Sequence, residues 1–230
     1  MNSVNVSRRR FLQSSAVAGG GIVVGFMLNS CSGSPAPLPF TKTEGGWTPN
    51  AFLQVLPDNT VRFYTARAEM GQGVTTGLST LIGEELDVNP LDMDIRLAGV
   101  HDEYVNPAFG MQGTGGSSSI RAHYMQLRQV GANTRALILE AASRDLGVPA
   151  SSLITHNGFV LNGESRHPYA DFIATAQTLS IETDAPLKPA SEFKYIGQDT
   201  PRVDAIAKAT GTAQFGIDVD VPGMHYAVVV

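Results

Sequence analysis

The 230-residue sequence has a single cysteine, Cys31, and its charged side chains amount to 16% of the residues. One cysteine cannot close a disulfide within the chain, and it cannot supply the thiolates of an iron–sulfur cluster or of a cysteine-based zinc site. Any redox chemistry in which this chain takes part therefore requires a bound centre of another kind. With 43% hydrophobic residues, the composition is that of a globular protein rather than a disordered one.

Positive charge is scarce as well, because 16 Lys and Arg stand against 21 Asp and Glu, for a net charge of −5. Three of the arginines, Arg8, Arg9 and Arg10, are the only charged residues among the first thirty, so the remainder is more acidic than the whole. The chain lacks the basic stripe that neutralises a phosphate backbone, which excludes nucleic acid as an expected partner.

Several familiar site motifs are also missing. No GKS or GKT follows a glycine-rich turn, and no Gly-x-Gly-x-x-Gly follows a hydrophobic strand, which argues against a P-loop and a Rossmann site. No protein-bound metal is expected, because the histidines show no i,i+4 pairing or nearby carboxylate cluster: His101, His123, His156, His167 and His225. Trp47 is expected to be a packing residue, and residues 101–103 a solvated loop.

Residues 1–31 resemble a twin-arginine export signal. Arg8 and Arg9 precede a weakly hydrophobic, glycine-rich stretch from Ala16 to Leu28. This stretch is shorter than the ~20 apolar residues that span a bilayer, which argues against a transmembrane anchor. We therefore expect export to the periplasm by the route that carries folded proteins, often with a cofactor already inserted.

The residues around Cys31 look like a lipoprotein cleavage box, although Asn29 is an atypical residue there. Two outcomes are open: a lipid on Cys31 attaches the protein to the membrane, or cleavage falls nearby and leaves Cys31 removed or as an idle thiol. Residues 32–45 follow as a linker rich in Ser and Pro.

Residues 46–180 are predicted to form an α+β domain of mixed sheets with packed helices. The first half predicts a hairpin around residues 57–60, an amphipathic helix from Val74 that stops at Pro90, and a strand near Ile95. Residues 101–119 form a loop of about twenty residues, a length that is usually functional. The second half predicts a long helix from Ser118 to Gly147, a hairpin at Asn157–Gly158 and a short helix after Pro168. The similar ends of the two larger helices suggest a duplicated α–β unit.

Residues 181–204 show no clean periodicity and are predicted to be a linker. Residues 205–230 carry a β pattern at Thr212–Ile217 and a final apolar run, Ala227–Val230. We expect this tail to be the truncated beginning of a second domain.

Two glycine-rich turns each stand directly before a predicted helix, at Met70–Gly73 and at Gln112–Ser119. A helix N-terminus offers unpaired N–H groups and the positive end of the helix dipole, and glycine lets a phosphate or a flat ring approach the backbone. Together the turns could hold an anionic, dinucleotide-like ligand. Taken singly, each turn is more often structural, and it is the pairing of two such turns in one short domain that makes a ligand site as good an interpretation as a structural one.

Three ordered segments carry a family resemblance: Ala68–Thr76 with Glu84–Leu86, the loop Gln112–Ser117, and Lys208–Asp218 with Pro222–Met224. They resemble the large, molybdopterin-binding subunit of the xanthine dehydrogenase and aldehyde oxidase family, in its isoquinoline 1-oxidoreductase beta subunit type. The resemblance covers the whole chain as an N-terminal portion. It implies that residues 205–230 open an α/β hammerhead domain.

The resemblance also implies an activity, the hydroxylation of an aldehyde or N-heterocycle with oxygen derived from water. It implies a molybdopterin cofactor, commonly the cytosine dinucleotide form, bound by residues of both turns: Gly71, Gln72, Gly73, Gln112, Gly113, Thr114, Gly115, Gly116 and Ser117. The family's catalytic glutamate lies far towards the C-terminus and has no match here, so Glu69, Glu84 and Glu85 are not assigned that role.

Electron transfer implies a partner. This chain has no cluster of its own, and the resemblance suggests a small [2Fe–2S] subunit as the partner. Two alternatives stay open: a missing C-terminal portion holds its own cysteine cluster, or it binds a cytochrome c directly. A different function stays open beside the enzyme: an exported, non-catalytic lipoprotein domain that keeps the fold for binding.

Overall fold

The computed structural model describes residues 42–229, so the predicted export signal, Cys31 and most of the linker 32–45 lie outside the described residues. The first sheet has the strand order β1-β2-β3. Strands β1 (Leu53–Val55) and β2 (Val61–Thr65) form the predicted hairpin, and β3 (Asp94–Leu97) pairs parallel to β2. A parallel pair requires a crossover, and the helix α1 (Val74–Leu86) provides it.

Helix α1 packs along α2 (Ser119–Leu146), the longest element described. Both helices end in the left-handed conformation, at Asp87 and at Gly147, and the next N–H of each bonds five residues back. The end of α1 therefore precedes Pro90, the predicted stop, which instead begins a one-turn 3-10 helix. The predicted similarity between the two helix ends is present in the geometry.

The second sheet is antiparallel, with strands β4 (Ile154–His156), β5 (Phe159–Asn162) and β6 (Ser165–Pro168). Asn157 and Gly158 both have positive φ, as the predicted two-residue turn requires. The sequence did not predict β6. After Pro168, a 3-10 turn leads into the short helix α3 (Ile173–Ala176), as expected.

A single hydrophobic cluster connects both sheets and both long helices. Its fully buried members come from every layer, among them Leu53, Phe63, Ile82, Ile138 and Val160. Trp47 is 5% exposed, in agreement with its predicted packing role. Mixed sheets with packed helices confirm the α+β fold class.

Residues 184–196, which we call the strap, lie inside the predicted linker 181–204. The strap is irregular, as expected, apart from one 3-10 turn at Ala190–Glu192. It is nevertheless bound to the domain, because Glu84 and Glu85 accept hydrogen bonds from its backbone N–H groups. Both carboxylates are fully buried.

In the tail, the expected strand at Thr212–Ile217 is wrong, because residues 205–229 contain a short helix, α4 (Ala205–Ala209), and a 3-10 turn at Gly216–Asp218 but no strand. An isolated strand leaves its backbone groups without ladder partners, so a β pattern alone does not produce one. The assignment of residues 205–230 to a hammerhead domain stays a prediction.

Candidate functional site

The two glycine-rich turns meet at one cavity of about 410 Å³. The segment just before the first turn is bonded to the second, since the Ala68 N–H donates to Thr114 Oγ1 over 3.0 Å. The cavity is lined by residues of both turns and of the helices that follow them: Met70, Gln72, Gly73, Val74, Gly77, Thr114, Gly115, Ser117, Ser119 and Ile120. The two turns are therefore close together, as predicted, and the cavity lies at the N-terminal ends of α1 and α2.

The first turn is held by its own polar groups. Gln72 Oε1 accepts from the Met70 N–H over 2.6 Å, and Gln72 Nε2 donates to the Ala68 carbonyl over 3.0 Å. An amide side chain has two donors and two lone pairs, so one of each remains for a ligand. Gly71 and Gly73 have φ of 97° and 81°, a region that only glycine enters without strain.

Glu69 fills the N-terminus of α1. Its Oε1 accepts from the N–H groups of Gly71 and Gly73, both over 2.9 Å, and its Oε2 accepts from the Thr75 N–H over 3.0 Å. Burial alone would raise the pKa of Glu69, but these backbone hydrogen bonds outweigh it and hold the pKa below its usual value. The N–H groups of Gly71, Gly73 and Thr75 are therefore already occupied by a carboxylate of the chain.

The second turn is braced from the neighbouring loop. Gln112 Oε1 accepts from the His101 N–H, and Gln112 Nε2 donates to the Gly99 carbonyl, over 3.1 and 2.9 Å. The Asn106 amide donates to Ser118 Oγ over 2.8 Å. Gln112 thus shapes the loop and does not line the cavity.

The N-terminus of α2 contrasts with that of α1. In both helices the N-cap residue itself, Gly73 or Ser118, makes no side-chain capping bond and the first turn contains no acidic residue. At α1, however, Glu69 accepts from the backbone N–H groups, and α2 has no such carboxylate in its own first turn. Ser117 and Ser119 add hydroxyl groups at the cavity, and a Cβ at Gly115 would meet nothing within 4 Å. This part of the cavity combines open space, hydroxyl donors and the positive end of a 28-residue helix.

A buried cation lies behind these elements. Arg67 is fully buried, donates to the carbonyls of Ala66 and Tyr104, and lies 2.8 Å from His123 Nε2. Burial, together with the charge of Arg67, lowers the pKa of His123 to about 4, so the imidazole is neutral at pH 7. Its Nε2 then accepts from Arg67 and its Nδ1 donates to the Ser119 carbonyl over 2.9 Å. These two hydrogen bonds connect Arg67, which precedes the first turn, to Ser119, the first residue of α2.

Five of the nine predicted cofactor residues line the cavity, namely Gln72, Gly73, Thr114, Gly115 and Ser117. The other four, Gly71, Gln112, Gly113 and Gly116, belong to the same turns but not to its lining. The contact of each residue with a cofactor stays a prediction.

Sequence reasoning missed the helical residues Val74, Gly77, Ser119 and Ile120. The periodicity of α1 and α2 was a usable signal for them, because residues three or four positions apart share a face. Nothing in the sequence connected Arg202 with the first turn, although its guanidinium donates to the Gly71 carbonyl over 2.9 Å.

Within residues 42–229, no group of three or more His, Cys, Asp or Glu side chains is arranged to hold a metal ion. Across the same residues, the helices are too short or too polar to cross a membrane.

Comparison with known proteins gives three similar sequences. The chain is 32% identical, over 96% of its length and 29% of the relative, to a membrane-bound aldehyde dehydrogenase [pyrroloquinoline-quinone] from Gluconacetobacter polyoxogenes. It is 30% identical, over 99% of its length and 33% of the relative, to the beta subunit of isoquinoline 1-oxidoreductase from Brevundimonas diminuta. It is 29% identical, over 78% of its length and 15% of the relative, to a subunit of nicotinate dehydrogenase from Pseudomonas putida.

The chain thus spans about a third of these relatives or less. Residues 2–228 match the family described as the molybdopterin cofactor-binding domain. With almost the whole chain inside that match, and with the cavity at the two glycine-rich turns, the protein belongs to the molybdopterin cofactor-binding domain family.

Proposed function

We propose that this chain is the molybdopterin-binding part of an enzyme subunit that hydroxylates aldehydes or N-heterocycles with oxygen from water. The observation that carries the proposal is the cavity between the turns at residues 70–73 and 112–117, in a chain that belongs to a molybdopterin-binding family. The names of the relatives, an aldehyde dehydrogenase and two N-heterocycle oxidoreductases, support the two substrate classes.

The residues present fit a pterin with an anionic extension. The volume of about 410 Å³ is within the range of small-molecule sites. Gln72, Thr114 and Ser117 offer hydrogen bonds, while Val74 and Ile120 offer apolar surface for a flat ring. The uncapped N-terminus of α2 suits a phosphate, which supports the dinucleotide form of the cofactor.

Bound molybdopterin would supply the metal centre at which the substrate carbon is oxidised. The residues of this chain would bind and orient that group, since none of the described residues matches the family's catalytic glutamate. Glu84 and Glu85 are fully buried and committed to the strap, so they are not available as a base.

The same proposal includes export and a partner. Oxidation of a substrate carbon releases two electrons, and the 230 residues with their one cysteine hold no iron–sulfur cluster to pass them on. We propose a small [2Fe–2S] subunit, with a cytochrome c as the alternative acceptor. Two of the relatives are themselves named as single subunits of larger enzymes, which supports a multi-subunit assembly.

Elemental analysis of the natively purified protein tests this function. We expect molybdenum and a fluorescent oxidised pterin in the wild-type protein, with iron and acid-labile sulfide where the partner subunit is retained. The variant G115V places a side chain in open space at the cavity, so bound pterin should fall about tenfold or more, the factor for 1.4 kcal/mol.

The matched control is G216V, because a Cβ at Gly216 also meets nothing within 4 Å and Gly216 lies outside the cavity. It should keep the wild-type pterin content. Pyrroloquinoline quinone in place of pterin would contradict the proposal, and a protein without any redox group would favour the non-catalytic lipoprotein domain.

Export has its own test. Replacing Arg8 and Arg9 by Lys keeps the charge but removes the paired arginines that the twin-arginine route recognises. We expect the variant to accumulate in the cytoplasmic fraction, whereas the wild-type protein fractionates with the periplasm or, with a lipid on Cys31, with the membrane. Undiminished periplasmic protein in the variant would contradict export by this route.

A further inference from the structure

The N-terminus of α1 has the form of an anion site, yet an anion of the chain already occupies it. Three alternate amides, those of Gly71, Gly73 and Thr75, donate to the two oxygens of Glu69 over 2.9 to 3.0 Å. A phosphate at the same place would have to displace this carboxylate and would meet its negative charge. Charge-assisted bonds of this kind are about twice as strong as neutral ones.

A second residue holds the carboxylate in place. Arg202 Nη2 lies 3.4 Å from Glu69 Oε1, and Arg202 Nη1 donates to the Gly71 carbonyl over 2.9 Å. Asp204 fixes the guanidinium through two bonds of 2.8 Å, and the Val203 N–H donates to Thr76 Oγ1 over 3.1 Å. A segment more than a hundred residues away in sequence is thus attached to the turn that faces the cavity.

We infer that Glu69 and Arg202 are positioning residues for the cavity. Glu69 takes the place of a ligand anion at the N-terminus of α1, and Arg202 holds the turn in the shape that presents Gln72 and Gly73. What this positioning means for cofactor binding rests on the proposed function. Under this inference the first turn contacts an uncharged part of the ligand, and the N–H groups of Gly71, Gly73 and Thr75 contribute no phosphate contact.

Amide exchange tests the turn itself, without any cofactor. In E69Q one oxygen still accepts, the other is replaced by an NH2 group that cannot, and the negative charge is lost. Exchange at Gly71, Gly73 and Thr75 should therefore accelerate, by about tenfold or more at the amides that face the NH2 group. R202M should accelerate the same amides less, and R202K should restore part of the protection. E103Q is the matched control, because Glu103 is exposed in the neighbouring loop, and it should leave these amides unchanged.

Cofactor content then separates the two possible roles of Glu69. If Glu69 positions the turn, E69Q should lower the molybdopterin content of the natively purified protein severalfold and change the absorption spectrum of the cofactor that remains. If the N-terminus of α1 binds a ligand phosphate, removing the competing charge should raise the content or leave it unchanged. The thermal midpoint of each variant shows whether a loss reflects unfolding, and R202K supplies the milder comparison.

The outcomes distinguish this inference from the proposed function. Unchanged amide exchange, or cofactor content that is equal or higher in E69Q, overturns the role of Glu69. A wild-type protein that contains no molybdopterin contradicts the proposed function, and the exchange of the three amides then decides the role of Glu69 and Arg202 in shaping the turn.

Discussion

At the scale of single residues, the most unusual feature is a buried cation whose partner is a neutral imidazole. Within residues 42–229, no carboxylate forms an ion pair with Arg67, and its Nε has no hydrogen-bond partner. His123 accepts from the guanidinium only while it is neutral, because a protonated imidazole would place two positive charges 2.8 Å apart. The stability of the fold therefore depends on keeping a proton off His123.

This dependence predicts a slope of stability with pH. The folded-state pKa of His123 is about 4, against about 6.5 in an unfolded chain. Between these values the unfolded state binds more protons, so the free energy of unfolding should fall by about 3 kcal/mol as pH falls from 7 to 4. Urea denaturation at a series of pH values measures it. The carboxylates Asp87 and Asp94, whose pKa values are lowered, lose their contribution at still lower pH.

The variant H123Q keeps an acceptor for Arg67 but cannot be protonated, so its free energy of unfolding should change little over the same range. H156Q, at an exposed histidine, should retain the wild-type slope. A wild-type protein of constant stability between pH 7 and 4.5 would contradict this account of the buried pair.

At the scale of elements, glycines set the distance between α1 and α2. A Cβ at Gly131 would lie 2.7 Å from the Ile82 carbonyl oxygen and 3.0 Å from Glu85 Cβ. A Cβ at Gly77 would lie 2.6 Å from Ile120 Cδ1, which is the end of a flexible and exposed side chain. A side chain at Gly131 would thus press on backbone that cannot move easily, whereas a side chain at Gly77 would press on a side chain that can rotate away.

Replacing each glycine by alanine should separate these cases. G131A gains helix propensity of about 1 kcal/mol but forces the backbones apart, so a net loss of about 1–2 kcal/mol is expected. G77A gains the same propensity while Ile120 rotates away, so its stability should equal or exceed that of the wild type. Chemical denaturation of both variants provides the comparison, and equal losses would show that the contacts do not differ in stiffness.

Elements with strong local signals could be predicted from the sequence, and elements without them could not. The Asn157–Gly158 turn, the periodicity of α1 and α2 and the left-handed Gly147 each follow from properties of a few neighbouring residues. Strand β6 has no such signal, because Ser165, Arg166 and His167 are not the β-branched or aromatic residues typical of strands, and they pair along the edge of β5. Residues 212–217 are the reverse case, because they carry a β pattern but no neighbouring strand pairs with them among the described residues.

At the scale of the whole molecule, the strap covers the buried acidic end of α1. Glu84 accepts from the N–H groups of Lys194, Tyr195 and Ile196 over 2.7 to 3.0 Å. Glu85 accepts from the Lys188 N–H and pairs with Arg128. Arg202 likewise contacts the first turn from a distant part of the sequence. No local sequence pattern predicts the contacts of the strap with α1 or the contact of Arg202 with this turn.

Replacing the buried carboxylate should detach the strap. E84Q leaves backbone donors of the strap facing an amide NH2 group, and since bonds to charged groups contribute about 1.5–3 kcal/mol each, we expect a loss of about 3 kcal/mol. Amide exchange at residues 194–196 should accelerate in the same variant. The control E140Q removes an exposed i,i+4 pair with Arg144 and should cost less than about 0.5 kcal/mol. Unchanged exchange in E84Q would show that the strap is held by other contacts.

The strap also determines when the domain can be completed during synthesis. Glu84 and Lys194 are 110 residues apart in sequence. At a translation rate of about 5–20 residues per second, Lys194 is synthesised roughly 5 to 20 s after Glu84, and only then can its N–H donate to this carboxylate. During that interval α1 and α2 can already pack together, but Glu84 and Glu85 at the end of α1 stay hydrated because the strap does not yet cover them. A nascent chain shorter than about 194 residues therefore leaves the acidic end of α1 exposed to chaperones and proteases, and the contact of Arg202 with the first turn forms later still.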